Sequence, residues 1–102
     1  MPDESRRFLR VFRDLPLVLH TSAGREIEGV MLDMSLGGFR FQSRGELEVG
    51  EVVTAEIPVS HDRTLRIEGT IVHRNMKDPY HYGISFPYWV QDRLAGLFLE
   101  NS

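Results

Sequence analysis

Cysteine is absent from the 102 residues. That excludes disulfides and thiolate metal sites, and it suits a reducing compartment. No apolar run approaches the length that would span a bilayer. The opening residues, Met1-Pro2-Asp3-Glu4-Ser5-Arg6-Arg7, lack the apolar core of a secretion signal. A cytoplasmic location is therefore the expectation. Positive charge is scarce overall: 12 Lys and Arg against 15 Asp and Glu leave a net charge of -3. Such a chain is a poor binder of long polyanions.

What is present is ordinary for a soluble fold, with 41% hydrophobic and 26% charged residues. The length predicts one domain with a single core, since a chain of this size buries roughly two-thirds of its unfolded surface. Residues 1–14 are charged and aperiodic, and read as a flexible arm. The barrel then occupies 15–86 and a helix 88–100. Leu15–His20 is the first strand, with Pro16 near its start. Ser22–Arg25 turns the chain into a second strand, Ile27–Leu32. Asp33–Gly38 reads as a loop, followed by the alternating Phe39-Arg40-Phe41-Gln42. Gly45 and Gly50 bracket a connection in which Leu47 and Val49 are expected to plug the core.

Val52–Val59, Leu65–His73 and Tyr80–Phe86 complete the set of strands, with Leu65, Ile67, Gly69 and Ile71 sharing one face. After Pro87 the period changes: Val90, Leu94, Leu97 and Phe98 make one helical stripe. Trp89, beside Pro87 and Tyr88, reads as a plug at the start of that helix, or as part of an exposed apolar patch. Six short antiparallel strands and one docked helix predict a mainly β fold, a closed six-stranded barrel with a C-terminal capping helix, because closure removes exposed edges.

Two stretches carry chemistry. Arg6 and Arg10 stand four apart, with Arg7 and Arg13 nearby. A guanidinium is a planar fork that clamps phosphate bidentately or donates to O6 and N7 of guanine. Taken alone, these arginines read more readily as a solubilising arm. The second stretch is Asp33-Met34-Ser35-Leu36-Gly37-Gly38. Asp and Ser often bond only their own turn, and glycines often serve the backbone alone. Asp33 is nonetheless suited to accept from a guanine edge, and glycine leaves room for a base. Local positive charge plus a polar rim turn points to an anionic, guanine-bearing small ligand.

Catalysis finds little support. His20, His61, His73 and His81 are scattered without metal-ligand spacing, although His73 with Arg74 is placed to stack on a bound base. No carboxylate pair lies in an apolar context, no serine sits in a nucleophile elbow, and no Walker loop occurs. The expectation is no enzyme, no metal and no cofactor.

The chain resembles the PilZ domain, a bacterial receptor module for cyclic di-GMP. The resemblance rests on Arg6-x-x-x-Arg10 and Asp33-x-Ser35-x-x-Gly38, one hairpin apart. Gly50, Gly69-Thr70-Ile71-Val72, Tyr82-Gly83-Ile84-Ser85-Phe86 and the last helix agree with it over residues 6–100. It implies that Arg6 and Arg10 hold guanine and phosphate, Asp33 and Ser35 bond the base edge and a nearby phosphate, and Gly38 keeps the rim open. Arg7, Gly37 and His73 are further candidates. Many members carry an arginine where this chain has Ser5, so one nucleotide and a stacked pair both stay open. Ordering about eight arm residues would cost on the order of 8–16 kcal/mol, which charge-assisted bonds must offset.

The implied function is a second-messenger receptor or adaptor, acting in trans on a protein effector, with motility or biofilm as its setting. The alternative is an interaction module, for pilus or motility machinery, that does not depend on nucleotide. A single-stranded nucleic-acid binder would need a basic groove with aromatic platforms, which the acidic net charge opposes. No membrane or nucleic-acid polymer is expected as partner.

Overall fold

Side chains that alternate with period two leave each strand one apolar face to bury, and a closed sheet buries all of those faces in one interior. The computed structural model, which describes residues 13–100, has this form. Its strands are β1 (Leu15–Thr21), β2 (Glu26–Ser35), β3 (Gly38–Ser43), β4 (Val52–Ser60), β5 (Arg63–Asn75) and β6 (Tyr80–Ser85), followed by helix α1 (Tyr88–Glu100). They close in the order β1-β2-β3-β6-β5-β4, all neighbours antiparallel, with β1 pairing β4 to complete the ring.

Alternation decides what lies inside. Leu17 and Leu19 enter from β1, Val53, Ala55 and Ile57 from β4, and Leu65, Ile67 and Ile71 from β5. Burying each of these Leu, Ile and Val side chains contributes about 1.5–3 kcal/mol. Phe39 meets Phe41 edge-on at 6.4 Å and stands tilted against Phe86 at 5.7 Å, and with Tyr82 of β6 these rings form the aromatic part of the core. From α1, Val90 and Leu94 join the same core. Leu97 and Phe98 have side chains outside the described set.

Three expectations need correction. Leu47 is fully buried, but Val49 is 56% exposed. The Leu47 amide donates to the Tyr82 hydroxyl at 3.0 Å, and Glu51 N–H donates to Glu48 C=O at 3.1 Å. Val49 thus rides on a turn between those two anchors. Trp89 is 52% exposed and does not plug the core. It lies one residue, about 100° round the helix, from the stripe of Val90 and Leu94. Finally, Asp33–Gly38 is mostly strand: β2 runs through Ser35 and β3 begins at Gly38.

A candidate ligand site at the barrel rim

The local fold turns on a break in alternation. Ile27 and Met31 point inward from β2, yet the next buried residue is Met34. Met31 faces Phe41 and Asp33 faces Arg40, so two steps along β2 match one along β3. This bulge flips the parity of the strand. Without it, Asp33 and Ser35 would share the inward side of Ile27 and Met31, where a bare carboxylate is strongly disfavoured. With it, Met34 fills the core and both polar side chains stand outside.

A second bulge, between Ile71 and His73, displaces Val72 on β5 and leaves it 56% exposed. The registers then set one row across four strands: Asp33 opposite Arg40, Arg40 opposite Gly83, and Gly83 opposite His73. Gly83 carries no side chain, so the row has an open floor between Arg40 and His73. Over it lies a cavity of about 640 Å³. Asp33, Ser35, Gly37, Gly38, Arg40, Val72 and Arg13 contribute to its lining. That volume is in the range of small-molecule sites.

Each turn residue has a mechanical role as well. The Ser35 hydroxyl accepts from Gly37 N–H at 3.2 Å and donates to Gly38 C=O at 3.4 Å, bracing the tight turn. A Cβ at Gly38 would strike the carbonyl oxygen of Ile84, so only glycine lets β3 approach β6 here. Phe86 N–H then donates to Gly37 C=O at 2.9 Å, tying the turn to the end of β6.

Charge at the rim is concentrated in one pair. Arg40 Nε donates to both Asp33 carboxylate oxygens at 3.0 Å, and Arg40 Nη2 donates to Oδ2. The hydrogen bond from Arg40 holds the Asp33 carboxyl below its usual range. Partial burial opposes this, and the charges of Arg40 and Arg13 add to it. Asp33 in turn pushes the Arg40 guanidinium up. Arg13 lines the cavity, and next to it Asp14 adopts a left-handed backbone, φ 53°, with its N–H donating to Leu32 C=O at 3.3 Å. Asp is among the few residues that tolerate this conformation.

Asp33, Ser35, Gly37 and Gly38 therefore come together around one cavity. His73 sits beside it, against Gly83, but is not part of its lining. Arg6, Arg7 and Arg10 lie outside the described residues. Sequence reasoning missed Arg40 as a site residue. Its signal was available, since Phe39-Arg40-Phe41 alternates and places Arg40 outward beside the turn. Among the described residues no cluster of three or more His, Asp or Glu could hold a metal ion.

The PilZ domain family model matches residues 4–94. The chain belongs to the PilZ family. The matched span contains the arginine pair, the Asp33–Gly38 turn, all six strands and the first half of the helix. The structure is similar to the PilZ domain with c-di-GMP of YcgR from Escherichia coli, at TM-score 0.59 and 13% identity over 83% of this chain and 80% of that one. It is also similar to the Borreliella burgdorferi PlzA protein in complex with c-di-GMP, at TM-score 0.57 and 16% identity over 96% of this chain and 37% of that one. A third likeness is to the Bacillus subtilis inhibitor of motility MotI, at TM-score 0.55 and 16% identity over 86% and 47%. These likenesses are of fold, and the chain spans less than half the length of PlzA and of MotI. No curated protein matches the chain. No helix among the described residues is long and apolar enough to cross a membrane.

Proposed function

We propose that this PilZ domain is a cytoplasmic receptor for cyclic di-GMP, working by binding and not by catalysis. The observation that carries the proposal is the shared cavity. The bulge in β2 turns Asp33 and Ser35 outward, the turn residues Gly37 and Gly38 leave its edge low, and Arg13 brings positive charge to it. A guanine with an attached phosphate matches those groups: Asp33 for the base donors, Ser35 and arginine for phosphate. Arg6 and Arg10 complete the site from the arm, residues 1–14 of a single domain, as it closes over the ligand. Solved relatives described with c-di-GMP support the choice of ligand.

Closure of the arm against the rim then presents a new surface to a protein effector. Tyr88 and Trp89, 83% and 52% exposed, offer apolar side chains for that contact. The same two residues favour the second reading, an interaction module that needs no nucleotide.

Thermal unfolding of wild type and Arg10→Ala with and without cyclic di-GMP tests the proposal. Ligand at about a hundredfold over its Kd stabilises by about 2.7 kcal/mol, a shift easily read. Wild type should show that shift, and Arg10→Ala should show none while keeping the melting temperature of the free protein. An equal shift in the variant would remove Arg10 from the site. No shift in wild type would favour the interaction module.

A further inference from the structure

Asp33 and Arg40 face each other across β2 and β3 and both line the cavity. The carboxylate engages only the Nε and Nη2 edge of the guanidinium. The Arg40 side chain is 67% exposed, so the rest of the guanidinium is open to a ligand. On its far side Arg40 faces Gly83, whose missing side chain leaves space for a planar group. A donor and an acceptor thus stand next to each other, locked together, over an open floor.

We propose that Arg40 is a specificity-determining residue of this site, selecting guanine over adenine jointly with Asp33. The inference rests on the cyclic di-GMP reading above and deepens it. Guanine presents an acceptor, O6, directly beside a donor, N1–H. The rim presents the complement of that edge: Arg40 donates toward O6 while Asp33 accepts from N1–H. On that same edge adenine reverses the order, with an N6 amino group beside an N1 acceptor, and in the pose of guanine would set donor against donor and acceptor against acceptor. Each side chain orients the other, so donor and acceptor meet a base in a set order. A site built from paired polar groups rejects the mismatched ligand more strongly than an apolar pocket does. Lysine in place of Arg40 keeps a positive charge but offers no fork with which to hold Asp33 and reach the base together.

The test is competition of unlabelled cyclic di-GMP and cyclic di-AMP against a fluorescent cyclic di-GMP, on wild type, Arg40→Ala and Arg40→Lys. Circular dichroism confirms that each variant is folded. Wild type should prefer cyclic di-GMP. In Arg40→Ala the preference should shrink by about tenfold or more, since a matched donor and acceptor at one base edge carry that much discrimination. Arg40→Lys should recover affinity for both dinucleotides without recovering the preference. Where the alanine variant binds too weakly to compare, the ratio is read on the lysine variant. Equal weakening of both dinucleotides, or full selectivity with lysine, would overturn the role of Arg40 and leave the receptor reading intact. Failure of wild type to bind cyclic di-GMP at all would remove the receptor reading and this assignment with it.

Discussion

Single side chains here serve either the barrel or its rim, and the two kinds respond differently to change. Tyr82 is a core residue with a polar end. Its hydroxyl accepts from Leu47 N–H and donates to Gly45 C=O at 2.8 Å, so it fastens the β3–β4 connection to β6. Tyr82→Phe strands a buried amide and should cost about 1–3 kcal/mol in urea unfolding. Burial pushes the Tyr82 phenol up, ahead of any other influence. The neutral form is therefore favoured in the folded protein. Its contribution is intact below the ordinary tyrosine pKa of about 10 and is lost as pH rises through the higher folded value. Alkaline unfolding above that range should accordingly be blunted in Tyr82→Phe.

Asp33 has the opposite sign. Its lowered carboxyl is stabilising above the ordinary value of about 3.9, and the effect fades as pH falls through the folded value. Cyclic di-GMP affinity should then be unchanged between neutral pH and about pH 5, a range in which carboxylates of ordinary pKa stay ionised. A steep loss across that range would show that the acceptor is not this carboxylate. Asp33 and Ser35, which line the cavity, were legible as candidates because acid, hydroxyl and glycine fall at turn-forming spacing. Arg40 was not, because its importance comes from a neighbour on another strand.

At the scale of elements, the β2–β3 hairpin is the device that makes a rim site. Five of the strands follow alternation closely enough to be read from sequence, and so does the paired burial of Val90 and Leu94 in α1. The bulge in β2 was hidden, because Asp33 and Ser35 look like loop residues when alternation is assumed to stop at Leu32. The spacing of Met31 and Met34 is the trace it leaves in the sequence. Val49, and Trp89 in its reading as a plug, were misread for a related reason: apolar residues next to a buried one need not share its direction. Gly38 is where the hairpin meets β6. Gly38→Ala would force its Cβ into the Ile84 carbonyl, and should lower stability by about 2–3 kcal/mol while loosening the turn. A urea midpoint equal to wild type would mean that β3 and β6 do not approach as described.

For the whole molecule, the net charge of -3 opposes long polyanions, so attraction for an anion rests on local positive charge such as Arg13 and Arg40 at the cavity. A small dianionic ligand meets that local field, whereas a long single strand would also meet the acidic surface. The account's central claim is that the cavity at the rim of this barrel takes cyclic di-GMP. Calorimetric titration of the purified chain with cyclic di-GMP, beside GTP and cyclic di-AMP, tests it most directly. Saturable binding at micromolar or tighter affinity, absent for both controls, is the predicted result, and its stoichiometry distinguishes one nucleotide from a stacked pair. No heat at any concentration, with no change in melting temperature, would contradict the claim and leave a PilZ fold that works through protein contacts alone.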